Sequence, residues 1–122
     1  MIQRETVLNV ADNSGAKVMK VIGIPGRSNS RTVGLGDLVT CTVKRATATG
    51  AVRTHQIVRA VLARTKKETR RRDGSYIRFD DNAAVVIDKD GNPVGTRILG
   101  PVGRELRERG YSKIASMATE VW

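Results

Sequence analysis

The chain has 122 residues and carries 22 Lys and Arg against 12 Asp and Glu, a formal net charge of +10. One domain of this length buries about two-thirds of its unfolded surface, so a core needs neither metal nor disulfide, and the single Cys41 excludes an internal disulfide. The cation excess points to a phosphate-rich partner bound by counterion release. An apolar span of about 18 residues, a long basic amphipathic helix and a charged-then-apolar leader are all missing, which argues against a membrane or an exported destination.

Residues 2–10 alternate moderately (Ile2, Val7, Leu8, Val10) and predict a first strand. The stretch ADNSGA at 11–16 is a turn, because Asp, Asn and Ser bond their own backbone and Gly supplies positive φ. Residues 17–22 (KVMKVI) predict a second strand, and the pair resembles the corner of a small barrel. From Gly23 to Gly36 the composition turns to Gly, Pro, Ser, Asn and Arg, a loop in which Arg27 and Arg31 are available to phosphate. Its glycines lack a following Gly-Lys-Ser/Thr and helix start, so a nucleotide-binding loop is set aside.

Leu38 to Arg45 is the clearest strand, β-branched and alternating, and places Cys41 as a small core hydrophobe rather than a nucleophile. Residues 46–51 connect. Val52 to His55 leads into a long strand from Ile57 to Arg64. His55 is the only histidine and has no Cys, Asp or Glu at ligand spacing, so a solvent-facing or structural role is preferred to metal or acid–base work.

The stretch from Ala60 to Ala83 (AVLARTKKETRRRDGSYIRFDDNA) begins apolar and turns basic. Between Lys66 and Arg72 five cations accompany one acid, Glu68, so this is no salt-bridged alternating pattern. Asp73-Gly74 between strand formers predicts a hairpin with a type I′ turn. The reading is a basic ribbon that leaves the core, turns and returns with Tyr76 to Phe79. A plain solvated face is the competing explanation. Self-repulsion along the run favours nucleic acid instead, and the scarcity of aromatics (3%) favours folded RNA or duplex over single strands.

Ala83 to Ile87 is a continuous apolar strand, residues 88–93 close a hairpin, and 94–99 follow as its return. Asp80 with Asp81, and Asp88 with Asp90, are read as turn residues rather than paired catalytic carboxylates. Pro101 as a first helical residue and Gly110 as a stop predict a helix between them, with Arg104 and Glu108 one turn apart. Residues 111–122 are ordered only if they dock. No nucleophile–base pair, phosphate loop or metal spacing supports an enzyme, and the chain is expected to need no cofactor or metal. A free-standing barrel that binds single-stranded nucleic acid is the other alternative.

ADNSGA at 11–16, RTKKETRRRDGSYIRFDDNA at 64–83 and GTRILGPVGREL at 95–106, in this order and spacing, resemble the universal large-subunit ribosomal protein fourteen family, bacterial type, over nearly the whole chain. The resemblance implies a mainly β fold: a small five-stranded barrel over about 1–100, a projecting basic ribbon over about 64–80, and short C-terminal helices over about 101–122. It implies a non-enzymatic role in the large subunit, bound to its ribosomal RNA and contributing to a bridge with small-subunit RNA. Ribosomal proteins nineteen and three are implied neighbours, and a cytoplasmic ribosome the location, with an organellar ribosome the alternative. Arg64, Lys66, Lys67, Arg70, Arg71 and Arg78 match the ribbon of the family, where Arg72 replaces a common Pro. With Arg72, Arg27, Arg31, Lys17, Lys20, Lys44 and Arg45 they form the candidate RNA-contact set. Thr96, Arg97 and Lys113 match the intersubunit surface, also docked by a ribosome-silencing factor in bacterial relatives. The connector at 47–56, Thr119 and Trp122 depart from the family texture.

Overall fold

Strands whose alternate residues are apolar close into a barrel. A computed structural model describes residues 2–25, 32–48 and 50–122. Strands β1 (Val7–Val10), β2 (Ala16–Gly23), β3 (Leu38–Ala46), β4 (Ile57–Arg64) and β7 (Ala83–Ile87) form it in the order β1-β2-β3-β4-β7. All pairings are antiparallel except β1 with β7, whose parallel register (Asn9 opposite Ala83, Val10 opposite Ala84) closes the ring. The ribbon strands are β5 (Thr69–Arg70) and β6 (Tyr76–Ile77). The C-terminal part contains β8 (Pro101–Val102), α1 (Glu105–Glu108), α2 (Ser112–Met117) and β9 (Glu120–Val121).

Two cores explain the continuous apolar runs of β4 and β7. Successive strand residues point to opposite faces. Ala60, Leu62, Ala84 and Val86 therefore line the barrel interior with Leu8, Met19, Val21, Val39, Cys41 and Val43. Val61, Ala63, Ala83, Val85 and Ile87 face outward onto Ile98, Val102, Leu106 and Ile114 of the C-terminal part. From Ala60 to Ala63 and along β7 both faces are dry, so these runs do not alternate with polar residues. Cys41 is fully buried, and desolvation pushes its thiol up to about 12, which fits a core role.

The structure corrects several expectations. The first strand is shorter than 2–10: Ile2 instead pairs with Val33 through two backbone hydrogen bonds of 2.9 and 2.7 Å. Residues 94–99 return as a loop, with Val94 N–H bonded to Val86 and Ile98 bridged to Asp12, and Gly95 packs against Asn13 where a side chain has no room. Pro101 does not open the helix but pairs in β8 with Glu120 of β9, and α1 starts four residues later. Arg104 pairs with Asp73, 3.7 Å away, rather than with Glu108. The tail docks through α2, whose Ile114 and Ala115 are buried, and Trp122 N–H bonds to Val102.

The ribbon turn is not type I′. Within 71–75 only Gly74 has positive φ (87°), whereas type I′ requires it at both central residues. Gly74 N–H bonds to Arg71 O at 3.0 Å and Arg71 N–H to Ser75 O at 2.9 Å, a type I turn closed by a left-handed glycine. The Asp73 carboxylate turns inward to accept from Ser75 N (3.0 Å) and Oγ (2.6 Å), which holds it below its usual range. The 88–92 turn repeats the plan, with Gly91 at φ 82° and the Asp88 carboxylate bonded to the N–H groups of Asp90 and Asn92.

Candidate nucleic-acid interface

Where the basic stretch leaves β4, its base is braced to the barrel. Phe79 N–H bonds to Thr65 O at 2.9 Å, and Lys66 N–H to the Asn82 side chain at 2.8 Å. Arg64 is drawn into this brace. Its Nη1 donates to Leu99 O (2.8 Å) and Pro101 O (3.3 Å), and its Nε lies 3.0 Å from Asp81 Oδ1 as a charge contact without hydrogen-bond geometry. Gly100, at φ 82°, leaves room for that guanidinium where a Cβ would strike it. Arg64 thus joins the ribbon base to the 99–101 turn.

Further along, alternation sorts the cations. Thr69 pairs with Ile77 and Arg70 with Tyr76. Thr69 and Ile77 are half-buried, whereas Arg70 and Tyr76 are exposed. Arg71 reaches α1, where Nη2 and Nε donate to the two Glu105 carboxylate oxygens at 2.9 and 3.4 Å, both side chains about 15% exposed. A groove of about 620 Å³ lies between ribbon and α1, bordered by Arg70, Arg72, Glu105 and Arg109 among others. Its far wall is tied by Arg109 Nη1 to the buried Asp37, at 2.6 Å.

Lys66, Lys67, Arg70, Arg72 and Arg78 are exposed and have no side-chain ion pair among the described residues. Lys17, Lys44 and Arg45 are also exposed, and Lys20 is half-buried. These do not join the ribbon group. Leu38 pairs near the end of β4 from which the ribbon leaves, while Arg45 pairs with Val18 at the start of β2. Along β3, seven residues or about 23 Å of strand run from Leu38 to Arg45. Lys17, Lys44 and Arg45 therefore lie at the other end of the barrel from the ribbon, Lys20 sits partway between, opposite Thr42, and Arg27 and Arg31 lie outside the described residues.

Thr96 and Arg97 belong to the second end. ADNSGA does more than turn on itself. The Asn13 carboxamide oxygen accepts from the backbone N–H of Thr96 (2.8 Å) and Arg97 (3.0 Å), and its nitrogen donates to Thr96 Oγ1 at 3.0 Å. Asp12 is buried and accepts from Ser14 N, Ser14 Oγ and Val86 N. Desolvation raises its pKa in spite of these bonds. Gly15 meets Gly50 so closely that neither position has space for a Cβ. Asn13 was not distinguished in sequence from its turn-forming neighbours, since its partners lie 83 and 84 residues away. Lys113 is exposed on α2.

The family model described as Ribosomal protein L14p/L23e matches residues 1–122. The chain belongs to this family. It is 56% identical over 122 residues to "Large ribosomal subunit protein uL14" of Petrotoga mobilis, covering all of both chains. It is 57% identical over 121 residues to the protein of the same name from Aquifex aeolicus, covering 99% of each. Membership of the ribosomal protein L14p/L23e family makes the chain a structural, non-enzymatic ribosomal protein. Of the four turn aspartates, Asp81 holds Arg64 and Asn9, and Asp88 closes its turn.

Proposed function

We propose that the protein is a constituent of the large ribosomal subunit that binds large-subunit ribosomal RNA and contributes, through Thr96, Arg97 and Lys113, to a bridge with small-subunit RNA. The observation that carries this reading is the division of labour among the ribbon cations. Arg64 and Arg71 are committed to protein partners, while Lys66, Lys67, Arg70, Arg72 and Arg78 remain exposed on a braced scaffold. Cations held out at fixed positions neutralise phosphates without first ordering themselves. The barrel-end group (Lys17, Lys44, Arg45), with Lys20 on the barrel side, offers a second site for the same chemistry.

The closed barrel leaves strand edges only in the β5–β6 and β8–β9 pairs among the described residues. These are the places where a neighbouring protein could add a strand. Ribosomal proteins nineteen and three are the proposed neighbours, a ribosome-silencing factor the proposed ligand of the Thr96–Arg97 surface, and the cytoplasmic ribosome the proposed location.

The test is a filter-binding salt series with large-subunit RNA. Replacing Lys66, Lys67, Arg70 and Arg72 together by Ala should flatten the logarithmic salt slope by about 2.8–3.6, given about 0.7–0.9 per phosphate contact. An unchanged slope in a folded variant refutes the ribbon as the RNA-binding element.

A further inference from the structure

We propose that the exposed face of the ribbon is a stacking platform for one unpaired nucleobase, with Tyr76 as the platform and Arg70 beside it as the phosphate or cation–π partner. This rests on the RNA-binding function proposed above and specifies what part of the RNA the ribbon tip takes. Charge alone would place phosphates there, whereas an aromatic ring among arginines reads a base.

Tyr76 is 62% exposed, and none of the hydrogen bonds found among the described residues uses its hydroxyl. It is therefore not anchored as core or as a buried hydrogen-bonding tyrosine. Its opposite residue across the ribbon is Arg70. The adjacent pair, Arg71 with Ser75, carries the backbone hydrogen bond that closes the turn, so Arg70 and Tyr76 occupy the following non-hydrogen-bonded position. Side chains at such a pair approach closely, with Cβ atoms about 4.5–5.5 Å apart. A guanidinium at that distance can lie along the ring or reach a phosphate attached to a stacked base.

The neighbouring acids are otherwise engaged or fewer. Asp73 turns its carboxylate into Ser75 and faces Arg104, and Glu105 is taken by Arg71. Glu68 is exposed, against exposed Lys66, Lys67, Arg70, Arg72 and Arg78. An apolar protein partner would have to desolvate these cations. A nucleotide supplies a π-face for the ring and an anion for the arginines, and so satisfies both. RNA is accordingly the favoured occupant.

The experiment compares binding of the full chain to a short oligoadenylate and to an abasic oligoribonucleotide of equal length, which has the same phosphates and no bases. Wild type should bind oligoadenylate about tenfold more tightly, in the range found for one base–aromatic stack. Tyr76→Phe keeps the ring and should keep the preference, while Tyr76→Leu should bring the two affinities together. Salt slopes should be equal for both oligomers and all three proteins. Because the readout is a ratio, any general weakening from a loosened ribbon cancels. Parity in wild type, a preference that survives in Tyr76→Leu, or its loss in Tyr76→Phe overturns the platform. A salt slope near zero for both oligomers overturns the phosphate-binding function itself, and so separates the two failures.

Discussion

Glu105→Gln separates the structural arginine of the ribbon from its exposed neighbours. The Arg71–Glu105 pair makes two hydrogen bonds between side chains that are each about 15% exposed. Hydrogen bonds to charged groups contribute about 1.5–3 kcal/mol, whereas freely exposed pairs contribute at most about 1. A half-buried, two-pronged pair falls between these, and the amide retains part of the bonding. We therefore expect Glu105→Gln to cost about 1–2 kcal/mol, read as a lower urea midpoint with unchanged m. Arg71→Ala should cost a similar amount, and the double variant little more than either. The coupling energy of that cycle should be about 1 kcal/mol and should survive in high salt, where surface pairs fade. Glu105→Gln also frees a guanidinium at the ribbon, so its RNA salt slope should steepen by about 0.7–0.9. A coupling below about 0.3 kcal/mol would refute the structural role of the pair, and a shallower slope would show that Glu105 was never holding Arg71 from the RNA.

Two further outcomes test other parts of the molecule. Asp12 has a folded pKa raised above its ordinary value by burial, so its titration favours folding most when the carboxyl is protonated and that advantage is lost as pH rises through the folded pKa. Wild type should thus gain stability relative to Asp12→Asn as pH falls towards the unfolded value near 3.8, by paired urea melts, and a difference that is flat or of opposite sign contradicts this. Asn13→Ala removes three hydrogen bonds to Thr96 and Arg97. It should cost about 1–2 kcal/mol and impair subunit joining in sucrose gradients, while leaving the ribbon salt slope unchanged; normal joining would remove this loop from the bridge.

Periodicity made the barrel legible and long-range pairing hid the use of its cations. β3 alternates because only one face is buried, and β4 and β7 run apolar because both are. Such patterns are local and can be read from neighbours in sequence. The ribbon appeared as a hairpin for the same reason, but Asp-Gly is compatible with more than one turn, and the closing bonds of Arg71 with Gly74 and Ser75 decide for type I. Arg70 and Arg71 look alike in sequence. They diverge because alternation turns them to opposite sides and Glu105, 34 residues on, stands beneath one of them. Arg64 is the same case, its acceptors lying 35 and 37 residues away. The resemblance implied short helices over about 101–122, but local pattern alone does not place α2, because SKIASM spans six residues and has no side-chain cap to mark its start.

Rigid separation of the two cationic groups follows from closure. In an open sheet, the strand that carries Arg45 could twist relative to the strand that launches the ribbon. Here β3 is bonded on both sides, to β2 and β4, and the ring is shut by β1 with β7. Changing the distance between the groups would break ladder hydrogen bonds and the interior packing of Val39, Cys41 and Val43 together. The ribbon base adds the Arg64 and Asn82 bonds, and the other end adds the tight Gly15–Gly50 approach. On the proposed function, two phosphate backbones gripped at these ends are held at a fixed spacing without further ordering cost. A flexible basic peptide of equal charge could neutralise the same phosphates but could not set that spacing. In that proposal, exposed cations account for affinity, and the closed barrel between them accounts for geometry.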